Sequence, residues 1–63
     1  MMVYVAVINY EVEGYENYTH TTVVGTFRTE SEAENALKKA YDFIESDPKS
    51  TVTDLICSAT WLD

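Results

Sequence analysis

A threonine, a glutamate three residues on, and a stripe of small and apolar residues behind them fix one helix in this chain. Thr29 and Glu32 form a Thr-x-x-Glu capping box, in which each residue satisfies a backbone N–H that the first helical turn leaves free. Ala33, Ala36, Leu37, Ala40, Phe43 and Ile44 recur at spacings of three and four, with Tyr41 at the edge of the stripe. Pro48 ends the run, because the residue before a proline is pushed out of the helical region. The spacing predicts a helix from about Glu30 to Ser46.

Everything around that helix alternates. Met2 to Tyr10 reads as a strand, with Val3, Val5 and Val7 on one face and Tyr4, Ala6, Ile8 and Tyr10 on the other. Apolar residues on both faces place it in the centre of a sheet. Glu11 to Asn17 is a polar connection. Tyr18 to Arg28 is a second strand, in which Gly25 marks a bulge or a close approach of another group. Asp47 to Ser50 is a turn, and Thr51 to Leu62 a third strand. The order is β-β-α-β. The expected α+β fold is a three-stranded antiparallel sheet of order 2-1-3 with one helix on one face. Strands two and three are then parallel and joined by a right-handed crossover.

Length and charge bound the rest. Sixty-three residues make one small domain, and such a chain buries only ~60% of its extended surface. With 46% apolar residues and 13% aromatics it is nonetheless too rich in core formers to be disordered. The single Cys57 rules out an internal disulfide and fits a reducing, cytoplasmic setting. No run is long enough to span a membrane, and the start lacks the basic flank of a signal peptide. Eleven acids against four bases give −7. That charge repels nucleic acid and anionic lipid and steers the chain toward basic partners, so direct nucleic-acid or membrane binding is not expected.

The acids are grouped. Glu30, Glu32 and Glu34 open the helix, where the dipole favours them. Glu11, Glu13 and Glu16 crowd the first connection, and Asp42, Glu45 and Asp47 close the helix, where the dipole disfavours them. Neither of these two groups has an evident local benefit, so negative charge reads as a working feature, with solubility as the plainer explanation. The spacing of Asp42, Glu45 and Asp47 lacks the central glycine of a calcium loop, and no metal or other cofactor is expected. Tyr10, Tyr15 and Tyr18 gather around the first acidic group, and Tyr15, in the loop, is the one best placed for an interface. His20 has no motif partner and reads as a surface residue; Cys57, in an apolar run, reads as a small core residue. Neither supports an enzyme, although a Cys57–His20 pair would need only to meet in space.

The runs Gly14-Tyr15-Glu16, Val23-Val24-Gly25-Thr26-Phe27 and Thr29-Glu30-Ser31-Glu32-Ala33-Glu34 resemble a family of short phage and bacterial proteins of unknown function. The resemblance covers roughly the first forty residues, bears on the fold and implies no activity. In size, acidity and α/β build the chain is also similar to small phage-borne anti-defence proteins, among them anti-CRISPR proteins that imitate DNA. Charge and resemblance together lead to one expectation. The chain is a non-enzymatic inhibitor, a monomer or weak homodimer, that presents Glu11, Glu13, Tyr15, Glu16, Asp42, Glu45 and Asp47 to a basic nucleic-acid-binding site on a larger complex, such as a CRISPR effector. The alternative is a regulatory or assembly module that binds a partner, or itself, through the open sheet face or a sheet edge.

Overall fold

The structure, a computed structural model, describes all 63 residues. Four elements follow in order: β1 (Met2–Val12), β2 (His20–Phe27), α1 (Glu30–Glu45) and β3 (Ser50–Trp61). The strands form one antiparallel sheet of order β2-β1-β3 with the helix on one face, as the double-sided first strand requires.

The helix begins where the capping box puts it. Thr29 Oγ1 accepts the Glu32 N–H at 3.2 Å, and the Thr29 hydroxyl donates to Glu32 Oε1 at 3.0 Å. It closes at Ser46, whose N–H bonds back to the Asp42 carbonyl. Asp47 and Pro48 then occupy the first two positions of a turn, where the residue types suit a carbonyl acceptor and a fixed φ. The Ser50 N–H reaches the Asp47 carbonyl at 3.0 Å to close it.

The core is thin. Ala6, Ala33 and Leu37 are fully packed, with Tyr4, Val24 and Phe27 around them and Ile8 buried alongside. Gly25 serves both purposes the sequence allows. The β1–β2 register slips between Ala6 and Val7, leaving Val24 as the extra residue of a bulge. The Phe27 ring lies over Gly25, so closely that a Cβ there would stand 2.9 Å from the ring.

Only six of 63 residues are buried. The Cα extents are 41 × 20 × 12 Å and the radius of gyration is 12.7 Å, against ~10.6 Å for a compact chain of this length. The accessible surface is 4571 Å², roughly 450 Å² above the ~4,100 Å² usual at this mass. Phe43, on the expected core stripe, is 79% exposed. The helix packs through Ala33 and Leu37, with Ala40 and Ile44 half-buried, and Phe43 lies on the flank of the stripe at an open hollow it shares with Val23 and Val24 of β2. Cys57 is exposed and not a core residue, because an open groove separates the helix from this part of β3.

Candidate functional site

Two segments meet at one end of the slab. The β1–β2 connection starts with a turn closed by the Tyr15 N–H on the Val12 carbonyl at 2.9 Å. Gly14 takes a φ of +91° in it, a conformation that glycine adopts without strain. A second turn follows, with the Tyr18 N–H on the Tyr15 carbonyl. The Glu13 N–H donates to the Lys49 carbonyl at 2.7 Å, which ties this connection to the turn between α1 and β3.

That tie gathers acids from both groups. Glu11, Glu13 and Glu16 share a small polar hollow with Pro48, Lys49 and Thr51. Asp47 and Glu45 lie on the same turn and the helix end leading into it. Five acids therefore gather at the end that also holds Lys49, and Tyr15 stands 62% exposed beside them. Asp42 is set apart. It lies one turn up the helix with Lys38 and Glu34, beside the groove between α1 and β3.

Three of the acids have local work that sequence reasoning missed. Asp47 Oδ1 accepts the Lys49 N–H at 3.0 Å, and its Oδ2 accepts the Ser50 hydroxyl at 3.2 Å. Glu45 Oε1 accepts the Val52 N–H at 2.8 Å. Glu16 Oε1 accepts the Gly14 N–H at 3.0 Å; that bond and the Glu16 backbone N–H hold its carboxyl below the usual value of 4.5. The premise that neither group has a local benefit is therefore corrected. Aspartate ahead of Pro48 was itself a readable turn signal. Glu45 reaching Val52 depends on how the helix lies on the sheet, which spacing does not encode.

The aromatic and nucleophilic candidates separate. Tyr10 is half-buried and stacks on His20 with ring centroids 5.1 Å apart, so His20 is not a plain surface residue. Its Nε2 is buried without a hydrogen-bond partner, as is Oδ1 of Asn9. Cys57 pairs with Ala6 on one edge strand, and His20 with Tyr10 on the other. Strand spacing and rise put the two roughly 16 Å apart, too far for a nucleophile and its base. No three His, Cys, Asp or Glu side chains converge as metal ligands would. No helix is long and apolar enough to cross a membrane.

A search of protein-family models, of curated proteins and of solved structures finds no match to this chain. The arrangement of its residues carries the functional reading.

Proposed function

We propose that this chain is a non-enzymatic binding protein of anti-defence type. It presents its acidic end to a basic, nucleic-acid-binding site on a larger cytoplasmic complex and blocks access of DNA; an anti-CRISPR protein acting on a CRISPR effector is the most concrete form. The observation that carries the reading is the Glu13–Lys49 backbone tie, which brings Glu11, Glu13, Glu16, Glu45 and Asp47 to one end. With Lys49 among them that end bears −5 + 1 = −4 of the chain's −7. Duplex DNA carries one charge per ~1.7 Å, so such density competes for the lysines and arginines that hold phosphates. Association of this kind is steered by charge and weakens with salt.

The test separates charge from structure. Gln at 11, 13, 16 and 45 and Asn at 42 and 47 remove six charges yet keep a side-chain oxygen for the Gly14, Lys49 and Val52 amides. The variant is expected to fold and to lose binding. Retained binding would leave the charge as an aid to solubility.

The assembly reading has its own support in the low burial and in the apolar residues exposed along β3. Those residues lie away from the acidic end, and both surfaces can serve one molecule.

A further inference from the structure

β3 is the longest strand, and its outer edge is bare. The Met1 and Leu62 backbones exchange two hydrogen bonds, Met1 N to Leu62 O at 2.8 Å and Leu62 N to Met1 O at 2.7 Å. An antiparallel ladder alternates from such a pair. The backbone groups of Thr60, Ser58 and Ile56 therefore face β1, and those of Trp61, Ala59, Cys57 and Leu55 face outward. No side chain caps these four amides, whereas Glu45 caps Val52 nearer the strand's start. The four also share the helix-side face with Ala6 and Ile8, where Leu55 and Trp61 are 45% and 65% exposed. Beside them runs a groove of about 540 Å³ floored by Leu37, Leu55 and Cys57 and walled by Tyr41.

We infer that this edge binds a second copy of the chain. The two β3 strands pair antiparallel about a two-fold axis at Ser58, making one six-stranded sheet. The axis follows from the edge itself. The outward groups run from Leu55 to Trp61, and the midpoint of that run is Ser58. An axis at Cys57 would set Trp61 against Thr53, where the β1–β3 register slips; an axis at Ala59 would pair Leu55 with Asp63, beyond the strand. About Ser58, Leu55 pairs with Trp61 of the second copy and Cys57 with its Ala59. Trp61 then covers the groove beside Leu55 and Tyr41.

Charge selects the same partner and the same direction. From Leu55 to Trp61 there is no ionisable side chain but the Cys57 thiol, on a chain of −7. A repulsive molecule can approach its own copy here. Antiparallel pairing also sends the two acidic ends apart. Ser50 lies eight residues from the axis, so the ends stand roughly 50 Å apart, well beyond the ~8–10 Å over which charge is felt in salt. The opposite edge is less suited, because β2 is shorter and carries the bulge at Val24, a usual block to edge pairing. The paired stretch from Leu55 to Trp61 is about 23 Å long, and widened by side chains to about 20 Å it offers roughly 460 Å² per copy, the size of a weak, reversible dimer.

Sedimentation equilibrium of the full chain tests this directly. The dimer is expected at twice 7.2 kDa, dissociating on dilution through the micromolar range, as a small interface does. Fluorescence of the single tryptophan is expected to shift to the red on dilution as Trp61 leaves the groove. Register is read by cysteine cross-linking in a Cys57→Ser background. Ser58→Cys places two sulfurs across a close pair and is expected to oxidise to a linked dimer; Thr60→Cys, about 13 Å from its copy, is not. Leu55→Lys, at an exposed site, is expected to give a folded monomer by circular dichroism. A wild-type chain that stays at 7.2 kDa at millimolar concentration overturns the inference, as does a dimer that survives Leu55→Lys or links equally through Thr60→Cys.

Discussion

A side chain at position 25 has nowhere to go. Its Cβ would meet the Phe27 ring at 2.9 Å and 3.1 Å, and that ring is packed against the Ala6–Ala33–Leu37 core. Gly25→Ala is expected to destabilise by about 1–3 kcal/mol, as overpacking does, and Phe27→Leu in the same chain should recover part of it. Thermal unfolding of the three variants checks the coupling; additive losses would place the ring elsewhere. Glu16 gives a residue-scale prediction in pH. Its carboxyl is held low by the Gly14 amide, so the folded loop favours the ionised form. The contribution is complete above the usual value of 4.5 and is lost as pH falls through the lower folded value. Carboxyl titration by NMR should find Glu16 below 4.5, and Glu16→Gln should remove that part of the acid sensitivity. A midpoint at or above 4.5 would break the loop geometry.

The elements differ in how plainly the chain writes them. The helix start was legible because Thr29 and Glu32 act on each other across three residues, and the structure keeps both bonds. Strand order was legible because β1 alone is apolar on both faces. Burial along the helix was not. Ala33 and Leu37 are covered while Phe43 is not, since the period of a stripe fixes its direction but not which of its flanks the sheet closes against. Cys57 failed for a similar reason: an apolar run marks a strand without telling which side a single helix leaves bare. Leu37→Ala should cost about 2–5 kcal/mol and could unfold so small a domain. Phe43→Ser should change stability by no more than about 0.5 kcal/mol. Equal losses at the two positions, by chemical denaturation, would contradict the helix placement.

At the scale of the molecule, the shared acidic end was readable from topology. With β1 running up, β2 down and α1 up again, the hairpin loop and the helix C-terminus must lie at the same end. The reach of Glu45 to Val52 and the clasp of Asp47 on its turn were not readable, because they depend on side-chain distances across segments. They also change an expectation. Neutralising Asp42 removes only repulsion at the negative end of the helix dipole and should be mildly stabilising, by about 0.3–1 kcal/mol. Glu45→Ala or Asp47→Ala should destabilise instead, because each loses a hydrogen bond to a backbone amide; the order of the three melting temperatures checks it.

The claim that charge is the working feature is tested most directly by capture from a bacterial lysate containing a CRISPR effector complex. Immobilised wild-type chain and the variant neutral at positions 11, 13, 16, 42, 45 and 47 are compared, each eluted first with duplex DNA and then with salt. The account predicts that the wild type retains basic DNA-binding proteins, that DNA and salt both release them, and that the neutral variant retains none while melting at a similar temperature. Equal capture by the neutral variant, or capture that neither DNA nor salt disturbs, would contradict it.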